Sequence, residues 1–144
     1  MTTFDAYCDL EGSIAGSVSY DEPMARHTSY KLGGPASLFI ECASVADIKR
    51  SLEVIEAHQL PWTVIGRGSN LLVADEGFKG AVLTLGSEFK HFSLPDVDSG
   101  QSLLVAGGGV VLANLVTAAF KHGYSGLEFA VGIPGTLGGA VYMN

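Results

Sequence analysis

Three glycine-rich segments are where residue type and spacing in this chain suggest chemistry. Gly66-Arg67-Gly68-Ser69-Asn70 sits between two short apolar runs. Glycines at 66 and 68 let successive backbone N–H groups turn inward as a nest for an anion, and Ser69 and Asn70 add side-chain donors. No lysine follows and no helix opens, so this is not a P-loop. A β run comes next, which also excludes the dinucleotide GxGxxG fingerprint. A glycine-rich turn without a ligand is the competing reading, and spacing alone does not choose between the two. Ala106-Gly107-Gly108-Gly109 leads into a helical pattern, where free N–H groups and about half a positive charge would face an anion. A tight strand-to-helix turn explains that segment more simply.

The third segment is Gly132-Ile133-Pro134-Gly135-Thr136-Leu137-Gly138-Gly139. Its proline fixes one dihedral while its glycines strip side chains from one surface. That suits backbone laid against a flat or phosphorylated ligand, or else two closely packed elements. From Leu103 to Asn144 the only charged residues are Lys121 and Glu128. A phosphate bound there would rest on backbone N–H groups, with no ammonium or guanidinium clamp. Together the three loops favour a nucleotide-type ligand. No catalytic constellation accompanies them: Ser69, Thr136 and His27, His58, His91 and His122 form no nucleophile–base pattern. Glu88 and Glu128 read as capping or solvated carboxylates.

The elements that must position these loops follow from periodicity. Ala36–Ala43 reads as a strand. Ser44 and Asp47 occupy the N-cap and N3 positions of a helix over 45–58, with Val45, Ile48, Leu52 and Ile55 on its buried face. Pro61 ends that unit and Trp62–Ile65 is the next strand, expected parallel to the first. Leu71–Ala74 and Ala81–Leu85 read as further β runs, and Glu88–Gln101 as a polar excursion with hairpin character. Leu103–Ala106 reads as a buried strand. Val111–Lys121 reads as a helix with Leu112, Leu115, Val116 and Ala119 on one face and Gly123 at its C-terminal cap. The uncharged stretch from Leu103 to Phe120 meets the crude length of a membrane span. The glycine triad, Asn114 and Thr117 argue instead for strand, turn and helix.

Composition bounds the remaining possibilities. The 144 residues are 47% apolar and 16% charged, which excludes disorder. Nineteen glycines without a Gly-X-Y period serve backbone geometry rather than a collagen helix. The net charge is −7, and Asp5, Asp9, Glu11, Asp21 and Glu22 stand in residues 1–22 with no basic residue. That acidic leader reads as a solvated segment with a short helix near Phe4–Leu10, and it lacks the basic start and apolar core of a secretion signal. Without a Lys/Arg cluster, nucleic acid is not a partner, and no membrane is implied. The chain reads as soluble and cytoplasmic. Cys8 and Cys42 show no metal spacing, and Cys42 reads as a buried thiol; pairing of the two remains open. No metal site is expected.

Read in order, the loops resemble one family. His27-Thr28-Ser29-Tyr30-Lys31-Leu32-Gly33-Gly34-Pro35-Ala36 resembles its opening Thr-Ser-x-x-x-Gly-Gly segment. Gly66 to Leu72 is similar to its glycine–serine–asparagine loop, and Gly126 to Phe129 with Gly132 to Asn144 resembles its most specific stretch. The family is UDP-N-acetylenolpyruvoylglucosamine reductase, the flavoenzyme of bacterial peptidoglycan precursor synthesis. The likeness covers roughly residues 20–144, with His27 where Asn is common and Arg67 where a small or neutral residue is usual.

The resemblance implies an α/β (α+β), two-lobed FAD-binding fold of the p-cresol methylhydroxylase type. Residues 1–22 would be a leader, 23–85 the first lobe and 86–144 the incomplete start of the second, with no substrate domain. It implies that Gly66, Arg67, Gly68, Ser69, Asn70 and Leu71 wrap the FAD pyrophosphate. Gly132, Ile133, Pro134, Gly135, Gly138, Gly139 and Ala140 would line the same cofactor, and Gly107 to Gly109 more weakly. NADPH would reduce FAD, and the flavin would pass hydride to the enolpyruvyl double bond of a UDP-sugar, with a protein acid protonating the neighbouring carbon. The family's serine donor, arginine and glutamate have no matching position here. The parent protein is thus expected to be a flavin oxidoreductase serving cell wall biogenesis, cell shape and cell division. This chain alone is expected to be inactive, and to self-associate through uncovered apolar surface. The alternatives are a different flavin oxidoreductase of the same fold, or a non-catalytic self-associating fragment.

Overall fold

The computed structural model describes residues 2–96, 100 and 103–143. The chain runs α1 (Thr3–Leu10), β1 (Ser17–Pro23), β2 (Pro35–Cys42), α2 (Val45–Ala57), β3 (Trp62–Ile65) and β4 (Phe78–Leu85), then β5 (Phe92–Ser93), β6 (Val105–Ala106), α3 (Leu112–Lys121) and α4 (Leu137–Met143). Four strands form one mixed sheet in the order β1-β2-β4-β3. β2 and β3 are parallel to each other, as the capped helix between them predicts, but they are not neighbours. β4 enters between them and pairs parallel with both, Phe39 beside Val82 and Thr63 beside Val82. The central strands β2 and β4 are nearly continuous apolar runs because both of their faces are covered.

One face carries the main core. Leu38, Ile40, Cys42, Ala81 and Leu83 from the sheet meet Val54 and Ile55 of α2 and Ala6 and Leu10 of α1. Residues 1–22 are therefore not the solvated leader expected from their charge. The helix forms where expected, but Ala6 and Leu10 lie four apart on one face and are fully buried, and β1 pairs antiparallel with β2. Asp5, Asp9, Glu11 and Asp21 are exposed on the outer side, and Glu22 is part-buried against His27.

Ser44 caps α2 by accepting from the Asp47 N–H at 3.2 Å. The Asp47 carboxylate does not complete a reciprocal capping box. It is buried and accepts N–H groups of Ala15 (3.0 Å), Gly16 (2.9 Å) and Ala43 (2.8 Å), tying the α1–β1 connection to the head of α2. Burial pushes its pKa up, but these hydrogen bonds outweigh it and hold the carboxyl below the ordinary range. Cys8 and Cys42 are both free, the first exposed and the second buried beside Ser51, where burial raises its thiol pKa.

Three β expectations need correction. Leu71–Ala74 is not a strand, and β4 starts at Phe78 instead of Ala81. Leu71 and Val73 alternate because they cover a second cluster of Met24, Ala36, Phe39, Ile65 and Val82, while the Ala74 carbonyl accepts from Gly34 N–H at 2.9 Å. The run Leu103–Ala106 is a strand only at Val105–Ala106, and it is not buried: Leu103 and Val105 are exposed, since β6 pairs only with two-residue β5. The excursion from Glu88 does carry this hairpin, though residues 97–99 and 101–102 lie outside the described residues.

α3 buries Leu112, Leu115 and Ala119, with Val116 half-buried. Gly123 follows it at φ +76°, donating to the Phe120 carbonyl. No described helix is long and apolar enough to cross a membrane.

Candidate functional site

The three glycine-rich segments, remote in sequence, meet in one cleft. Ser69 Oγ donates to the Pro134 carbonyl at 3.3 Å, and Thr136 packs directly on Gly66, where a Cβ would meet its Oγ1. The same Thr136 Oγ1 accepts from Gly139 N–H at 3.2 Å, capping α4. Leu137 N–H donates to the Val110 carbonyl (2.8 Å) and Gly138 N–H to the Gly108 carbonyl (2.9 Å). The 107–109 turn is thus the floor beneath the 134–139 loop. Its own Gly107 and Gly109 N–H groups go to the carbonyls of His91 and Phe89, which supports the strand-to-helix turn over an anion seat.

The cleft has two connected parts sharing Ile65, Gly66, Arg67, Thr84, Lys90 and Val111 as a common wall. The larger, about 980 Å³, is mainly apolar and is lined by Val64 and Ile65 of β3 and by Gly108-Gly109 and Gly138-Gly139. The smaller, about 680 Å³, is bordered by Arg26, His27, Lys31, Arg67 and Lys90 and by the Pro134-Gly135 backbone. The expectation that an anion here would lack a cationic clamp therefore fails. Half of the chain's eight Lys and Arg residues line one cavity. Arg26 pairs with Glu22 at 3.5 Å and Lys90 with Glu41 at 3.2 Å. Among the described residues neither Arg67 nor Lys31 has a carboxylate partner.

Of the residues singled out from sequence, Gly66 and Arg67 line both parts. Gly138 and Gly139 line the larger, and Ser69, Ile133, Pro134 and Gly135 the smaller. Gly68 is buried beneath the loop at φ +62°, with its carbonyl accepting from Ser29 N–H at 3.0 Å. Asn70 is exposed outside both parts, and Leu71 packs on the second core cluster. Gly132 borders a separate cavity of about 240 Å³ with Phe120 and Tyr124. Ala140 lies within α4, its N–H given to Thr136 O at 2.9 Å.

The sequence reading does not single out Arg26, Lys31 or Lys90 as ligand residues. They are isolated cations, Arg26 and Lys31 in the β1–β2 connection and Lys90 after β4, and only the sheet order brings them together. His27 lies among them with its ring stacked on Phe39, centroids 3.9 Å apart and planes 22° from parallel, and Nε2 at 3.0 Å from Glu22 Oε1. That hydrogen bond, followed by the burial that opposes it and the Arg26 charge that assists, leaves the Glu22 carboxyl below its ordinary range.

Residues 36–144 match the FAD binding domain family. The chain is 48% identical over 136 residues to the UDP-N-acetylenolpyruvoylglucosamine reductase of Bacillus velezensis and, over the same length, to that of Bacillus subtilis. Each alignment covers 94% of this chain and 43% of the relative. The chain therefore spans less than half the length of the curated relatives it matches. Among solved structures, the Thermus caldophilus UDP-N-acetylenolpyruvylglucosamine reductase superposes with TM-score 0.69 at 34% identity, over 89% of this chain and 41% of that one. A Physcomitrella patens BBE-like 1 variant gives 0.56 at 16% identity over 85% of this chain and 26% of that one, a likeness of fold alone. The mixed sheet, its p-cresol methylhydroxylase-type architecture and the matched span place the chain in the FAD binding domain family.

Proposed function

We propose that this chain is the FAD-binding part of an NADPH-dependent reductase that converts UDP-N-acetylenolpyruvoylglucosamine to UDP-N-acetylmuramate in cytoplasmic peptidoglycan precursor synthesis. Such a role would serve cell shape and division. The observation that carries the reading is the single cleft in which three glycine-thinned segments join an apolar cavity to a cationic one. A dinucleotide has the same division, flat rings attached to a diphosphate. Glycines at 66, 135 and 138 would let the walls of that cleft close up, because a Cβ at each would meet Thr136, Ser69 or Gly108 of the facing segment. Ser69 and the Arg26, Lys31, Arg67 and Lys90 charges would hold the anionic part, and Val64, Ile65 and Val110 would exclude water from the rings. Bound FAD would supply hydride transfer.

Residues 23–85 would form the first lobe and 86–144 the beginning of the second. A substrate domain elsewhere in the parent protein would bind the UDP-sugar and supply the proton donor, so this chain by itself would not turn substrate over. Exposed Phe120, Phe129, Val131 and Tyr142 would then favour self-association. The likeness to the Physcomitrella patens BBE-like 1 variant rests at 16% identity on fold alone, which leaves the reductase as the preferred reading.

The test is titration of FAD into the purified chain, followed by flavin fluorescence and absorbance, with NADPH oxidation measured with and without UDP-N-acetylenolpyruvoylglucosamine. The expected result is one FAD per chain and no substrate-dependent turnover. A chain that binds no FAD, or one that turns substrate over unaided, overturns the corresponding half of the proposal.

A further inference from the structure

His27 occupies a position in the cationic cavity that binding of a dinucleotide would change. Glu22 is ionised and accepts only, so His27 Nε2 carries the proton of their 3.0 Å hydrogen bond. In the neutral ring Nδ1 is then a bare lone pair. It has no protein partner among the described residues and is the nitrogen left for a ligand. Toward a phosphate oxygen that lone pair is repulsive. Protonation reverses this, because Nδ1–H becomes a charged donor.

The charged groups around the ring are arranged in opposition. Glu22 on β1 and the stacked face of Phe39 on β2 favour the imidazolium. So does Glu41 on β2, which borders the same cavity. Arg26 beside it, Lys31, Arg67 of the glycine loop and Lys90 after β4 disfavour a fifth cation. An anion in the cavity cancels that repulsion, so anion binding and protonation of the ring must help each other.

We propose that His27 is an anion-binding residue of this cleft, its ring held by Glu22 and Phe39 so that protonated Nδ1 donates to the diphosphate of FAD and cofactor affinity rises as pH falls. The inference rests on the FAD reading above and adds to it a residue and a direction of regulation.

The experiment compares FAD affinity of the full chain at about pH 8 and about pH 6, spanning the range in which imidazoles titrate, at fixed ionic strength. The FAD diphosphate itself does not titrate there. Wild type should bind about tenfold more tightly at the lower pH, equivalent to a shift of about one pH unit in the imidazole. His27→Asn and His27→Gln keep a neutral group at the position and should show no such change. Riboflavin, which has no phosphate, should bind equally at both pH values. Proton NMR of the His27 ring should show its titration midpoint rising by about one pH unit when FAD saturates the chain. Equal affinities at the two pH values, the same pH dependence in both variants, or an unmoved midpoint in a chain that binds FAD overturns the inference and leaves the cofactor reading intact. Absence of FAD binding at either pH overturns both.

Discussion

Gly68 offers the sharpest test of how loop 66–70 is built. Its backbone is left-handed at φ +62°, and a Cβ there would meet the His27 carbonyl oxygen and come within 2.9 Å of Thr28 Cα. Gly68→Ala therefore has two costs. The left-handed conformation costs an alanine about 1–2 kcal/mol. The collision is with backbone and not with the tip of a mobile side chain, so the loop must shift, at about 1–3 kcal/mol. The total is about 2–5 kcal/mol of folding stability. Gly123→Ala separates the two costs, because Gly123 has φ +76° but open space where its Cβ would stand. That variant should lose about 1–2 kcal/mol. The shift at 68 would also pull the loop from Ser29 and His27, which border the cationic cavity. FAD should bind roughly ten- to a hundredfold more weakly to Gly68→Ala, and no more weakly to Gly123→Ala. Urea unfolding followed by far-UV circular dichroism, with an FAD titration on each variant, reads both quantities. Equal effects of the two substitutions on stability and affinity would refute the claim that loop 66–70 depends on close backbone approach at Gly68.

Asp47→Asn should destabilise the fold by about 2–4 kcal/mol, because one amide cannot accept all three N–H groups that the carboxylate now holds. Since the folded carboxyl is depressed, the stabilisation from Asp47 is fully present above its unfolded pKa and is lost as pH falls through the folded one. Acid unfolding curves should accordingly lose part of their low-pH limb in the variant. Arg67→Ala combined with Lys31→Ala should weaken FAD binding by about three- to tenfold at low ionic strength and flatten its salt dependence, measured by titration at two salt concentrations. An unchanged salt dependence would show that these cations do not face the diphosphate.

Local signals were readable where a segment's neighbours are its own next residues. Ser44 capping α2, the apolar face of α3 and the left-handed Gly123 each follow from a few adjacent side chains. Long-range arrangement was not. Nothing in Trp62–Ile65 reveals that β4 will take the central place beside β2 and push β3 to the edge. Leu71 and Val73 alternate like a strand because a flat cluster lies beneath them, and alternation reports one-sided burial whether or not a ladder forms. Residues 1–22 carry five carboxylates, which hid the i, i+4 pair Ala6 and Leu10 that fixes α1 to the core. The glycine loops were legible as places of close backbone approach, two of them as cleft walls. The cations were not, because Arg26, Lys31, Arg67 and Lys90 become a cluster only after the sheet has brought three separate connections together.

The contact between Ser69 and Pro134 spans 65 positions of chain. Closing a loop of that size costs on the order of 4 kcal/mol in chain entropy, so these two walls meet late in folding and part early in unfolding. A molecule gripped by both walls acts as a removable cross-link: it adds nothing to either wall alone and restrains the whole interval between them. Its occupancy would therefore be read far from the cleft, in slower amide exchange along β4, the β5–β6 hairpin and α3, all of which lie inside that interval.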